Sequence, residues 1–481
     1  MANQRAILAA GVALMGVGVV AFGVPPTPAP GPSTGYDVVM SGIGSASAGN
    51  TFGDVNPVTG NAVTSHGQVG GVSAFSVGTI SCNIGNVDAP WFEATNQHPV
   101  FASSIYRLRQ VDGAWRLEQV GIGWAKHGFC GSDQARCTDL VVPTQSPFTQ
   151  PDCDGLGPFR TDYYGAALNA AQSGLGPRSE VNPWTGGFAY PYGIGWAQTG
   201  DLAYKRIQVP TAALSPADVY VFEAAAVIPD EPVANRVNNF ACRRASWDGS
   251  AFTLTGPTYA MQAALTEYAR AAPGVLVSSA EPLAGADGRV MLASNATPIT
   301  GGQWRYEYTL LNVNLNARIA GVRVWCDARG AVSGVGFHAP AAHSGEPGDN
   351  APWNGVRQGM RVGWSASPGV NGPASTNAIV WGTAYTFRFD SDLAPTTGVL
   401  SGETLAGAVG FELAARVPGA PTPGACVADL TGDGRSDTAD LVALLGVFGS
   451  AVTPGCCGDL SGDGVVSTPD LVAFLGGFGC V

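Results

Sequence analysis

Two stretches near the C-terminus hold the residues best spaced to do chemistry in this 481-residue chain. DLTGDGRSDTADLVALLGVFG (429–449) and DLSGDGVVSTPDLVAFLGGFG (459–479) lie 30 residues apart and agree at 14 of 21 positions. Each opens with a 12-residue loop. Positions 1, 3, 5, 9 and 12 of the first are Asp429, Thr431, Asp433, Asp437 and Asp440; in the second they are Asp459, Ser461, Asp463, Ser467 and Asp470. All ten side chains carry oxygen. Position 7, Arg435 or Val465, offers its backbone carbonyl. Such a ring suits Ca²⁺, a hard cation that takes about six to eight oxygens. Clustered carboxylates repel one another without metal, so binding also folds the loop. Gly434 and Gly464 at position 6 permit the sharp turn. Two calcium sites are expected. The first has four carboxylates against three and is expected to bind more tightly.

The elements that must hold these loops are short helices. Thr438 and Thr468 are expected as N-caps, with Pro469 at the first helical position. Leu441, Leu444, Leu445 and Phe448 fall on one helical face, and Leu471, Phe474, Leu475 and Phe478 repeat it. Gly449 and Gly479 are natural stops. Neither helix is long enough to stand alone, so the pair is expected to pack face to face. Residues 426–481 hold seven Asp, no Glu and one Arg, half of the chain's net charge of −12.

This loop–helix pair lacks the entering helix of an EF-hand and resembles a type I dockerin over residues 426–481. Thr431 and Ser461 stand where Asn is usual. The resemblance implies a cohesin-like protein partner, recognised through loop positions 10 and 11: Thr438, Ala439, Thr468 and Pro469. The Cys456-Cys457 pair and Cys480 are similar to those of variant, cysteine-containing dockerins of environmental bacteria, Planctomycetes among them.

The N-terminus reads as export. MANQR precedes about 18 apolar residues, and Ala21-Phe22-Gly23 suits signal peptidase. Residues 1–23 are expected to be a signal peptide; left uncleaved, the stretch would be a membrane anchor. In an oxidising space all ten cysteines read first as disulfide partners: Cys82, Cys130, Cys137, Cys153, Cys242, Cys326, Cys426, Cys456, Cys457 and Cys480. A bond between adjacent Cys456 and Cys457 would close a strained ring. Cys426 is therefore expected to pair with one of them and Cys480 with the other.

The body is expected to be mainly β. Gly and Pro number 67 and 34, and charged residues are 12%, a composition of short strands and turns. There are 22 Arg but only two Lys, Lys126 and Lys205, and no basic run, which argues against nucleic acid and anionic membrane as partners. The reading divides the chain into a Pro-rich linker (24–35), a β-rich domain (36–273), an antiparallel β-sandwich (274–417), a linker (418–425) and the helical module (426–481). IYRLRQ, WRLEQVGIGW and DVYVFEAAAVI are expected strands; YYGAALNAAQSG and YAMQAALTEYARA are expected helices. In the expected sandwich Trp304, Tyr306, Tyr308 and Leu310 alternate with Arg305, Glu307 and Thr309, and Tyr385, Phe387 and Phe389 alternate with Thr386 and Arg388. Aromatic residues then line one sheet face and polar residues the other.

Whether the body is an enzyme is less legible. TNQHPV around His98, GWAKHGFC around Lys126 and His127, and LGPRSEVNPWTGG around Glu180 are its distinctive strings. They look like segments of uncharacterised secreted bacterial proteins that also carry dockerins, a resemblance that brings no known activity to carry over. No G-x-S-x-G, H-E-x-x-H or phosphate-loop motif is present. His98, His127, Cys130 and Cys137 have the atoms for a zinc site, though disulfides and structural histidines are the favoured reading. Glu93, Glu180, Glu223, Asp230 and Glu231 are candidates for the paired carboxylates of a glycosidase. Trp184, Tyr190 and Tyr192 suit sugar stacking, with core favoured. The leading expectation is a non-catalytic binding or structural body; the alternative is an extracellular polysaccharide hydrolase.

Overall fold

The computed structural model describes residues 33–44, 62–127, 131, 135–137, 155–191, 198–327, 330–341, 346, 348–369, 375–405, 409–419, 428, 430–431, 436–452, 458–461 and 463–479. Residues 1–23, expected to be a signal peptide, lie outside them. Among the described residues no helix is long and apolar enough to cross a membrane.

The chain is mainly antiparallel β. The first unit is built on a long curled sheet, whose strands run in the spatial order Phe252–Ala260, Phe240–Trp247, Val219–Val227, Val100–Val111, Ala114–Ile122, Ile207–Pro210, Val72–Val77 and Val63–Val69. The two end strands approach each other without pairing, so the sheet is a half-barrel. The strand Val38–Ile43 lies against its concave face and belongs to a second, smaller sheet. Its residues, VVMSGI, are all buried, as expected of a strand covered on both faces. Phe252 sits among Phe75, Tyr220, Phe222 and Trp247, with ring centroids 4.8–5.2 Å away. The expected strands all form. The expected helices shrink to Ala166–Asn169 and Leu265–Ala271.

In the second unit two five-stranded antiparallel sheets share one core. The aromatic alternation places Tyr306 opposite Phe389 and Tyr308 opposite Phe387 across paired strands Trp304–Asn312 and Thr383–Ser391. The other face of these strands departs from a solvated polar surface. Glu307, Thr309 and Thr386 are 0–1% exposed, because that face packs against the first unit. Arg116 grips both carboxylate oxygens of Glu307 at 2.6–3.0 Å. Thr309 and Thr386 each donate to Leu117 O at 2.9 Å. Gln119 Nε2 donates to Gly382 O, and its Oε1 accepts from Ala384 N. Tyr106, Leu117, Tyr268, Ala293, Leu311 and Ala384 form the apolar part of the same seam. Polar groups so buried are tolerated because each finds a partner.

Two short helices, Thr438–Gly446 and Thr468–Gly476, make the third unit. The N-caps are Asp437 and Ser467, one residue earlier than expected, because each forms a capping box with the Asp three residues on. Pro469 is accordingly the second helical residue. Only part of the expected apolar face is covered. Leu444 and Phe474 are fully buried with Ala428 and Val466, whereas Leu445, Phe448, Leu475 and Phe478 are 43–56% exposed. Gly449 and Gly479 end the helices at φ +83° and +85°, a conformation open to glycine. Their N–H groups donate across the pair, Gly449 to Val466 O and Gly479 to Ser436 O, both at 2.7 Å.

Candidate functional site

The two acidic loops close in the same way. In the second, Asp470 Oδ1 accepts from Ser461 N and Oδ2 from Ser467 N, both at 2.7 Å. In the first, Asp440 Oδ1 accepts from Thr431 N at 2.6 Å and Oδ2 from Asp437 N at 2.9 Å. Position 12 thus ties positions 3 and 9 in both. Burial pushes both carboxyls up, but these N–H donors outweigh it and hold them below the usual range. Asp459 Oδ1 accepts from Ser461 Oγ and Asp463 N at 3.1 Å, and Oδ2 accepts from Gly464 N at 2.8 Å. Gly464 has φ +84°, the turn anticipated for position 6.

One carboxylate oxygen from each of Asp459, Asp463 and Asp470 lies within 4.8 Å of the others. Among the described residues no other group of three His, Cys, Asp or Glu side chains gathers so closely. Thr431, Ser461 and Val465 are exposed at the loop surface, and Asp437 and Ser467 are half-buried at the caps. Asp429, Asp433 and Arg435 of the first loop lie outside the described residues. Thr438, Ala439, Thr468 and Pro469 are all exposed. Beside them on the helices Val442, Leu445, Val472 and Leu475 are 52–64% exposed. These outward apolar residues are a feature that a core reading of the helix periodicity missed.

Two of the cysteine expectations are overturned. Cys82 and Cys137 are bonded, but Cys242 and Cys326 are buried free thiols. Cys242 packs beside Thr266 at 3.8 Å in the seam, and Cys326 belongs to the core of the second unit. Burial raises both thiols, that of Cys326 to about 11, so neither is a nucleophile at neutral pH. Cys130, Cys153, Cys426, Cys456, Cys457 and Cys480 lie outside the described residues.

The three distinctive strings of the body converge. His98 Nε2 is 3.3 Å from His127 Nδ1, and Phe188 lies 4.9 Å from both rings. Leu175–Gly176 pairs with Ala125–His127. Arg178, buried, donates to Gly123 O, Ser103 O and, across the seam, Gly382 O at 2.8–3.0 Å. Glu346 accepts from the N–H groups of Arg178 and Ser179. The strings therefore make a closed structural node. Burial lowers both imidazoles, His98 to about 4 and His127 to about 3, the second also because His98 adjoins it. The bond to Cys82 withdraws Cys137 from any zinc site.

The candidate acids are dispersed. Glu223 accepts from Tyr106 Oη and Ala264 N; Glu231 accepts from Val38 N and Asn239 Nδ2. Both are buried ties between backbone segments, and burial raises both carboxyls. Glu93 and Asp230 are exposed and Glu180 is half-buried. Trp184 is core, with the Arg236 guanidinium 5.1 Å from its ring; Tyr190 is 44% exposed; Tyr192 lies outside the described residues. No family model matches the chain, and no curated protein matches it.

Proposed function

We propose that this is a secreted protein whose C-terminal repeats form a dockerin-like, calcium-binding docking module. The module attaches a binding or structural body to a cohesin-like partner. The observation that carries the reading is the convergence of Asp459, Asp463 and Asp470 in a loop that closes through the same bonds as its upstream repeat. Ca²⁺ between those carboxylates would replace their mutual repulsion with coordination. Asp429 and Asp433 would complete the first site. Thr438, Ala439, Val442 and Leu445, with their counterparts Thr468, Pro469, Val472 and Leu475, present two like exposed faces suited to a protein partner. A polysaccharide-acting body is the less supported reading, since Glu223 and Glu231 are enclosed.

The test is calcium titration by calorimetry into the chelator-stripped full chain, followed by capture on an immobilised cohesin with and without chelator. Two binding events are expected, with Asp470→Ala removing one, and capture only with Ca²⁺. A flat titration would sink the metal reading. Calcium binding without capture would leave a stabilised tail and reject the docking role.

A further inference from the structure

Only two of the chain's 24 basic residues are lysine, and both are buried, Lys126 2% and Lys205 0% exposed. Lysine is seldom fully enclosed. It differs from arginine in one chemical respect: it can give up its proton and become a nucleophile. The acceptors of Lys205 include two backbone carbonyls, those of Gln172 and Gln198, at 2.7 Å, which suits a structural ammonium. Lys126 is placed otherwise. Its Nζ donates to Asn169 Oδ1 at 3.1 Å. That oxygen is one bond from Cγ, the carbon of an amide that can exchange its nitrogen for another amine.

Separate parts of the first unit hold the two groups together. Lys126 is in the strand Ala125–His127, which pairs with Val100–Val111 and with Leu175–Gly176. Asn169 ends the helix Ala166–Asn169. Its Nδ2 donates to Val77 O at 2.8 Å and to Thr79 Oγ1 at 3.0 Å, which leaves Oδ1 turned to the amine. The Tyr164 ring, its centre 3.1 Å from Nζ, closes another side. Burial lowers the Lys126 ammonium well below its usual range, and Asp162 offsets part of this. Asp162 is fully buried two residues before Tyr164, on the same face of the strand Arg160–Tyr164. A buried amine, an amide carbon beside it and a carboxyl able to carry a proton are the parts of a transamidation. A cavity of about 20 Å³ lined by Lys126, Asn169 and Lys205 adjoins them, room for one molecule the size of water or ammonia.

We propose that Lys126 and Asn169 condense spontaneously into an intramolecular isopeptide bond, with Asp162 as proton carrier and ammonia as leaving group. The neutral Lys126 amine attacks Cγ of Asn169, forming the new C–N bond as the carbonyl pair moves onto Oδ1. The pair then returns and the bond from Cγ to Nδ2 breaks. One amine proton passes through Asp162 to Nδ2, which departs as ammonia; the other stays on the new amide. Nothing is oxidised or reduced, and no co-reactant is consumed. Well-oriented neighbours act at effective concentrations on the order of 10⁵ M or more, which offsets the low reactivity of an amide. The product closes a covalent loop between residues 43 apart, tying the short helix to the sheet.

Peptide mapping of the full chain, reduced and alkylated before trypsin digestion, tests this without any variant. The expected product is a branched peptide joining Leu117–Arg136, uncut at Lys126, to Thr161–Arg178, whose single Asn is Asn169. Its mass should be that of the two peptides less one ammonia. Cleavage after Lys126 together with an unmodified Thr161–Arg178 would overturn the proposal in the wild-type chain, whether or not any variant folds. Lys126→Arg keeps a cation that cannot condense and should release Thr161–Arg178 unmodified; a branched Thr161–Arg178 in that variant would overturn the assignment to Lys126. Asp162→Asn should lose the branched peptide and Asp162→Glu should regain part of it. A branched peptide at wild-type yield in Asp162→Asn would overturn the role of that carboxyl.

Discussion

At the seam between the two large units, Arg116, Gln119, Glu307 and Thr309 are polar and buried; in the C-terminal repeats, Leu445, Phe448, Leu475 and Phe478 are apolar and half exposed. The usual distribution is inverted in both places, for different reasons. The seam has large apolar cores on either side, so it can bury charge provided every group is matched. Burial works against the Arg116 charge, but Glu307 outweighs it and holds the guanidinium ionised. Among their described residues the repeats have four fully buried apolar side chains and a face left outward. A seam of matched polar groups fixes one docking geometry, because any sliding strands a buried charge. A small core with exposed apolar faces suits a module completed by metal and partner.

Three substitutions or conditions break or sharpen this contrast. The largest effect is expected at the seam. Glu307→Ala leaves Arg116 buried without its carboxylate and should cost about 3–5 kcal/mol. Arg116→Met with Glu307→Leu should recover much of that loss. Urea unfolding of the three proteins checks it; a double variant no better than the single would mean the pair does more than neutralise itself. Next, Leu444→Ala removes one of the fully buried side chains of the repeats and should cost about 2–4 kcal/mol locally. Calorimetry should show the low-temperature transition shifted down and the main transition unmoved, with Ca²⁺ restoring part of the loss. A shift of both transitions would show the module coupled to the body.

The smallest effect is acid sensitivity at the His98–His127 node. His98 falls from 6.5 unfolded to about 4 folded, chiefly through burial. A folded value below the unfolded one favours the neutral form, so its contribution is present above about pH 6.5 and is lost as pH falls towards 4. Between pH 7 and about pH 5 the loss should be about 2 kcal/mol. Urea midpoints across that interval measure it, and His98→Gln should flatten the slope. An equally steep slope in the variant would assign the acid sensitivity to other groups.

How much of this was legible beforehand differs by scale. The Trp304–Leu310 and Tyr385–Phe389 alternations set which residues face the aromatic core, because a strand's side chains alternate regardless of context. The same alternation left the polar face undetermined between solvent and a second unit. Only Arg116, 191 residues upstream of Glu307 and in a separate sheet, settles that. The acidic repeat was legible in its turn at Gly464 and in its two helices, because such features are encoded within a few residues. Its caps were misplaced by one residue, since Thr438 and Asp437 are both good caps and only the reciprocal bond to Asp440 decides between them.

The sequence by itself determined the β class, the faces of the strands and the duplicated loop–helix unit, because each follows from periodicity or spacing within a few dozen residues. Tertiary structure alone decided three things: that Cys242 and Cys326 stay thiols, that His98, His127 and Arg178 belong to one node, and that both lysines face one cavity. Each depends on which distant strands become neighbours, and strand pairing over long separations is set by the whole core and not by any local pattern.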